Sequence, residues 1–456
     1  MKRFALEKLD EWKASRFRKP LVLDGARQVG KTWLLKEFGR LRYRNVAYVA
    51  FDRMPEAAAL FRGGFDFPRI LSGVQALTGA AVSPGETLVV LDEIQLCPDA
   101  IAALKPWNEE RNEYHVACAG SLLGLSVLPG TGWPVGKTND LAVHPMTFAE
   151  FLAAVGEETL WTDGVLPGDG ALLDALADRL ADRLRSYLLV GGMPAAVEAF
   201  AATRSLDEAR ARQREILRDY GRDFSKHVPA AQLARVRAIW AALPGQLAKP
   251  DRRFVAAEVE VPGAPARTRA RDLRDPFEWL EGAGVVHRVW NASKPAIPLS
   301  SYRDRAFKLF GVDVGLLAAQ SGLPPRAVLE GNRVFTEFKG ALAEQFVQQE
   351  LRAAAGDDPW TWMPPDSKAE LDFLVQDDGG VVPVEAKAER NRKAKSLGVY
   401  RAAFAPALAI RTSLAPFGFS GGLLDLPLPA IGAWRRFARH PVPPAHPVPP
   451  AHPASP

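Results

Sequence analysis

Cysteine is almost missing from this chain: Cys97 and Cys118 are the only two in 456 residues, and both lie in apolar surroundings. Two such thiols exclude a disulfide framework and suit a reducing compartment. The seven histidines are scattered, none in His-Glu-x-x-His or Cys–His spacing, which argues against a zinc site. No apolar run reaches the roughly eighteen residues that span a bilayer. The stretch Met1 to Lys13 is charged throughout and lacks the apolar centre of a signal peptide. These absences lead us to expect a cytoplasmic protein with no membrane partner. The composition, 47% hydrophobic and 24% charged, is that of folded domains, and the length calls for more than one core. A net charge of +5 permits contact with nucleic acid without requiring it.

What the chain does have is organised around residues 20–32. A short apolar strand, Leu21 to Leu23, runs into Gly25-Ala26-Arg27-Gln28-Val29-Gly30-Lys31-Thr32. In a loop of this pattern, successive backbone N–H groups and the N-terminus of the following helix cradle phosphates. Gly25 and Gly30 allow close backbone approach, and Arg27, Gln28 and Val29 complete the cradle. Lys31 brings a point charge to the β- and γ-phosphates, and Thr32 offers a hydroxyl to a magnesium ion. A second element fits this one. Thr87 to Leu91 is unbroken apolar sequence, as expected of a strand buried on both faces, and it ends in Asp92-Glu93. Asp92 is expected to hold magnesium-bound water and Glu93 to polarise the attacking water. The cofactors implied are ATP and Mg2+.

Residues 1–19 read as an amphipathic packing helix, Asn45 to Asp52 as a strand, and the region near 55–61 as helical. Tyr114 to Ala119 reads as a further buried strand that delivers Gly120-Ser121 to the same sheet edge, where Ser121 stands as a candidate γ-phosphate sensor. The alternation predicts an α/β parallel sheet with nucleotide at its C-terminal edge. Residues 126–146 read as loop, and Thr147 as the N-cap of a helix with Glu150 three residues later. The middle reads as mainly helical. Residues 206–225 carry interleaved arginines and carboxylates and read as a solvated face of i,i+4 pairs. Residues 231–300 suggest a winged helix-turn-helix: a helix through Val236–Leu243, a helix that opens on the basic stretch Arg267–Arg274, turns Leu273, Phe277 and Leu280 inward and ends at Gly282-Ala283-Gly284, and a wing formed by Val285–Trp290 with the stretch ending at Leu299. Such units contact DNA or act as spacers.

Towards the C-terminus, a helix from Thr336 to Leu351 holds Glu344, and two strands around a Gly-rich turn hold Asp372, Glu385 and Lys387. Asp372 and Glu385 on adjacent strands could bind a divalent cation while Lys387 orients the attacking water. The tail from His440 repeats Pro-Val-Pro-Pro-Ala-His and reads as a polyproline-like appendage.

Taken together, Gly25–Thr32, Leu91–Gln95, Gly120-Ser121, Pro145–Phe151, Val190–Pro194, Phe307-Lys308-Leu309, Asp313–Leu317, Glu370–Phe373 and Pro383–Lys387 resemble a large prokaryotic family of AAA-type ATPases. Its members carry a C-terminal domain of unknown function that is similar to PD-(D/E)xK nucleases. The resemblance implies an AAA-type P-loop domain (1–155), a helical segment (156–230), a winged-helix-like domain (231–330), a restriction-endonuclease-like α/β domain (331–435) and a Pro-rich tail (436–456). It carries over Lys31, Thr32, Asp92, Glu93 and Ser121 as nucleotide residues, and Glu344, Asp372, Glu385 and Lys387 as a nuclease set. Where many members have Gly-Arg after the sensor, this chain has Gly136-Lys137. The expected function is an ATPase coupled to a DNA-binding or DNA-cutting module, with homo-oligomerisation in view. The alternative is a nucleotide-dependent switch for a protein partner, with a catalytically silent nuclease-like fold.

Overall fold

The computed structural model describes residues 1–120, 134, 136–249, 252–263, 268–324, 336–355, 358–364, 369–390 and 394–439. Ser121, Arg267 and the tail from His440 lie outside the described residues.

The first core is a parallel sheet of β1 (Leu21–Asp24), β2 (Asn45–Ala50), β3 (Thr87–Asp92), β4 (His115–Ala119) and β5 (Asn139–Ala142), ordered β2-β3-β4-β1-β5. β3 and β4 are buried along their whole length, as their unbroken apolar runs require. Helices Lys31–Arg42, Phe67–Thr78 and Pro98–Glu110 flank the sheet. Because β3, β4 and β1 are neighbours running the same way, Asp92-Glu93, Gly120 and Gly25 emerge at one edge. One loop expectation is corrected. Asn139–Ala142 is a strand paired parallel to β1, from Leu21↔Asn139 to Asp24↔Ala142. It is short, lies at the sheet margin and has a polar start, so it carries no apolar run to announce it.

The helix Phe148–Ala154 begins as expected. Thr147 Oγ1 accepts from Glu150 N at 3.3 Å, and Glu150 Oε2 accepts from Thr147 N at 2.8 Å, a complete capping box. Thr147→Ala should cost about 1 kcal/mol in urea unfolding. Helices Ala177–Val190, Pro194–Thr203, Leu206–His227 and Ala230–Ala248 follow, as the helical reading of the middle anticipated.

The wing expectation changes in two places. The basic helix starts later than expected, since Ala270–Leu273 is a 3-10 turn, but Arg274–Gly282 is a helix that ends where Gly282-Ala283-Gly284 predicts, with Leu273, Phe277 and Leu280 buried. β6 (Val286–Ala292) pairs antiparallel with β7 (Arg303–Gly311), not with the stretch ending at Leu299. Pro295 and Pro298 lack the N–H a ladder needs, so that stretch becomes the connection. The hairpin also joins the C-terminal sheet through β8 (Trp360–Trp362). The remaining strands are β9 (Leu371–Asp377), β10 (Gly380–Ala386), β11 (Ala409–Ser413), β12 (Gly418–Ser420) and β13 (Leu423–Pro427). The order is β12-β13-β11-β10-β9-β8-β6-β7, a mixed sheet. Helix Thr336–Ala355 packs against β10 and β7. A single apolar cluster runs from the first sheet through the helices to this second one.

Candidate functional site

The phosphate loop has the backbone its sequence calls for. Gly25 has φ +134°, and a Cβ there would lie 2.3 Å from Val143 O, so only glycine fits between β1 and the segment after β5. Gly30, at φ +93°, caps the helix Lys31–Arg42, and Gln28 is also left-handed at φ 66°. Val29 is fully buried, and its carbonyl accepts from Arg3 Nη1 at 2.8 Å. Arg3 also reaches His144 O at 2.8 Å and pairs with Glu150 at 3.1 Å, all three partners being buried or nearly so. The N-terminal segment thus braces the loop, a role that the amphipathic pattern of residues 1–19 does not disclose.

Lys31 Nζ donates to Gly25 O and Ala26 O, each at 2.8 Å, and so lies across the loop. Burial, outweighing the nearby Glu93, Asp24 and Asp92 carboxylates, lowers its ammonium to about 8. Thr32 Oγ1 donates to Asp92 Oδ2 at 2.8 Å, and Tyr48 OH donates to the same oxygen at 2.6 Å. The structure therefore brings together the hydroxyl and carboxylate expected to flank a magnesium ion, and adds Tyr48. Thr32 and Asp92 are of the right chemistry for such an ion: hard oxygen donors, one charged, at a helix start that favours phosphate. Glu93 follows at φ 51°, its carboxylate accepting from Gln95 Nε2. Lys31, Thr32, Asp92, Glu93 and Gln95, with Gly120, line one cleft of about 1280 Å³.

The other wall of that cleft corrects the reading of residues 206–225. The helix Leu206–His227 does expose pairs such as Arg212–Glu215 and Arg222–Asp219. A second face, however, meets the phosphate loop. Asp223 pairs with Arg27, Asp219 accepts from Gln28 Nε2 at 3.1 Å, and Tyr220 OH donates to Arg27 O at 3.0 Å. Arg27 also lies 3.5 Å from His227 Nε2. Residues 219, 220, 223 and 227 share one helical face, a spacing that was visible but had no partner to be read against. Lys137, which follows Gly136, pairs with Glu109 at 2.7 Å.

The nuclease-like set is assembled but differently engaged. β9 and β10 form the expected hairpin, and Asp372 Oδ2 accepts from Ala386 N at 2.8 Å. Lys387 Nζ donates to Glu385 Oε1 at 2.6 Å. At the centre stands Lys308, from β7, with no solvent exposure. Its Nζ lies 2.5 Å from Glu370 Oε1, 3.2 Å from Glu344 Oε2 and 3.5 Å from Asp372 Oδ1. Arg252 pairs with the other Glu344 oxygen. Burial disfavours the Lys308 charge, but Glu344, Glu370 and Asp372 outweigh it and hold the ammonium well above its ordinary range. Burial likewise works to raise Asp372, while Lys308, Lys387 and Arg252 together hold it below the usual carboxylate range. Burial and then Asp372 push Glu344 and Glu385 up. Lys308 and Lys387 thus pair with Asp372 and Glu385, the carboxylates expected to take a metal, and Arg252 pairs with Glu344. Among the described residues no group of three or more His, Cys, Asp or Glu side chains is arranged to hold one. Asp372 and Glu385 are thus engaged by lysines in this arrangement, while Glu385 Oε2 is buried without a hydrogen-bond partner.

Residues 17–152 match the family model of an AAA domain, and the parallel five-stranded sheet with flanking helices fits a P-loop α/β fold of the AAA type. Two further models continue along the chain: a domain of unknown function, DUF8612, over residues 181–327, and another, DUF4143, over residues 339–431. No curated protein matches the sequence. Among solved structures, the chain aligns with the Orc1 protein of Aeropyrum pernix in complex with DNA at 17% identity and TM-score 0.27, covering 71% of this chain and 93% of that one. It aligns with the RuvB Holliday junction branch migration motor of Thermotoga maritima at 14% identity and TM-score 0.29, covering 63% and 90%. It also aligns with Cdc6p of Pyrobaculum aerophilum at 14% identity and TM-score 0.23, covering 72% and 94%. Alignments with TM-scores this low carry no argument about this chain. Among the described residues no helix is long and apolar enough to cross a membrane.

Proposed function

We propose that the chain is an ATP-hydrolysing switch whose C-terminal sheet binds rather than cuts. The observation that carries the first half is the Thr32–Asp92 hydrogen bond beside Lys31 and Glu93 in one cleft. In this reading Lys31 and the loop N–H groups hold the phosphates, Thr32 and Asp92 hold Mg2+, and Glu93 takes the proton of the attacking water. The magnesium ion, when bound, neutralises charge on the transferred phosphoryl group. Ser121 is retained as the proposed γ-phosphate sensor. Glu93→Gln should keep ATP affinity while lowering turnover about 100-fold in a phosphate-release assay; unchanged turnover would remove Glu93 from this role.

Lys308 favours the silent reading of the C-terminal sheet over the nuclease one, because an ammonium already sits among Glu344, Glu370 and Asp372. Incubated with supercoiled DNA and Mg2+ or Mn2+, with or without ATP, the protein should leave the DNA intact. Cleavage that is lost in Asp372→Ala and Lys387→Ala would reverse this choice.

The contacts of Asp219, Tyr220 and Asp223 with the phosphate loop are the proposed means by which nucleotide state reaches the helical region. Asp219→Ala/Asp223→Ala should raise amide hydrogen exchange in both the loop and helix Leu206–His227. Unchanged exchange in the helix would sever that link.

A further inference from the structure

The β6–β7 hairpin has two faces of opposite character. Asp304 and Lys308 of β7 turn to one side, where Asp304 Oδ2 accepts from Asn291 Nδ2 at 2.5 Å and Lys308 enters the Glu344 and Asp372 cluster. Arg303 and Arg305, being of the other parity, are exposed on the opposite side. There the Arg303 guanidinium lies 3.5 Å from the centroid of the Trp290 ring, with Arg288 4.7 Å from the same centroid. Lys294 is 5.6 Å from the Tyr302 centroid. Arg288 is paired with Glu281, but among the described residues no carboxylate pairs with Lys294, Arg303 or Arg305. The one acid between the two arginines, Asp304, is turned away and bonded to Asn291 and Ala306.

We propose that this face binds the phosphate backbone of duplex nucleic acid. Planar guanidinium groups match phosphate oxygens in a two-point fork, and stacking on an indole restrains such a side chain before its ligand arrives. Arg303 and Arg305 are two residues apart on an extended strand, hence about 6.6 Å apart along it. That is of the order of the spacing between neighbouring phosphates on one strand, so the pair addresses a repeating anion rather than an isolated one. The exposed side chains of β7 on that face are both cationic, and the exposed Ile297 lies in the connection between the two strands.

The same hairpin leads directly to the nucleotide cleft. Trp279, Ala283 and Val285 line that cleft, Val286 begins β6, and a Cβ on Gly284 would lie 3.1 Å from Ala26 N in the phosphate loop. Glu281 holds Arg288, and Phe277 packs edge-on against Phe307 at 5.4 Å. Nucleic acid on the hairpin and nucleotide in the cleft therefore bear on the same few residues. The inference deepens the switch reading by naming its partner, and depends on that reading only for this coupling.

The test is fluorescence anisotropy of the full chain with a labelled duplex of about 20 base pairs, without nucleotide, at about 50 and 200 mM salt. Arg303→Gln/Arg305→Gln should weaken binding at least tenfold and make the salt slope shallower by about two. Arg179→Gln/Arg185→Gln, which removes the same charge from exposed positions of another helix, should bind as the unaltered protein does. Unaltered melting of both variants confirms that they fold. Equal affinity of the hairpin variant and the parent overturns the proposal, as does equal loss in both variants. So does binding to phosphatidylserine vesicles with none to the duplex. Because nucleotide is absent from the assay, failure of the ATPase reading leaves this result standing, and loss of duplex binding leaves ATP turnover to be judged separately.

Discussion

Lys31→Ala should abolish ATP binding at concentrations that saturate the unaltered protein. A charged donor to phosphate in a partly enclosed cleft contributes about 3 kcal/mol, and its loss weakens binding about 100-fold. The geometry supports a contribution of that size. Lys31 Nζ already lies 2.8 Å from both Gly25 O and Ala26 O, so the side chain is held over the loop and little ordering remains when phosphate arrives. Burial lowers its ammonium to about 8, which marks a site poor in competing water. ATP should raise the melting temperature of the parent and leave that of Lys31→Ala unchanged. Lys31→Arg should rescue poorly, since a planar fork cannot take the place of a point charge between Gly25 and Ala26. Wild-type affinity in Lys31→Ala would sink the nucleotide assignment altogether.

The two ends of the chain differ in how far their sequence could be read, and the reason is physical. A phosphate cradle must be built from contiguous backbone, so Gly25 to Thr32 announce it locally, and the buried strand ending at Asp92 supplies the one distant partner. Contacts between remote segments leave no such trace. Arg27 and Asp223 are 196 residues apart, and the helix that carries Asp223 had enough neighbouring arginines to satisfy its acids on paper. β5 was missed because Asn139-Asp140-Leu141-Ala142 is half polar and pairs only on one side. The wing was misplaced because strand signals fix β6 but not its partner, which lies beyond two prolines. In the C-terminal sheet the carboxylates were legible as a constellation, and the structure does gather Glu344, Asp372, Glu385 and Lys387. Their occupant was not. Lys308 lies within Ala306-Phe307-Lys308-Leu309-Phe310, where one charge in an apolar strand should have signalled a buried ion pair.

Replacing that lysine should have a large effect on stability. Lys308→Met leaves Glu344, Glu370 and Asp372 facing one another in a site where Lys308 had no exposure and Glu344 and Asp372 very little. Removing one partner of a buried ionic group typically costs about 3–5 kcal/mol, because the remaining charges keep their desolvation penalty and lose their compensation. Arg252 still pairs with Glu344 and Lys387 still faces Asp372, which keeps the effect within that range. Urea unfolding should show the loss as a lower midpoint. Neutralising the carboxylates as well, in Lys308→Met/Glu344→Gln/Asp372→Asn, should recover most of it, a recovery that additive packing losses would not produce. The same variant distinguishes a lysine that merely fills space from one that holds the place of a cation. With the ammonium gone, Mn2+ should raise the melting temperature of Lys308→Met and leave that of the parent unchanged. A parent stabilised by Mn2+ through these carboxylates would show that Lys308 yields to a metal, and the binding-only reading of the C-terminal sheet would then give way to the nuclease one.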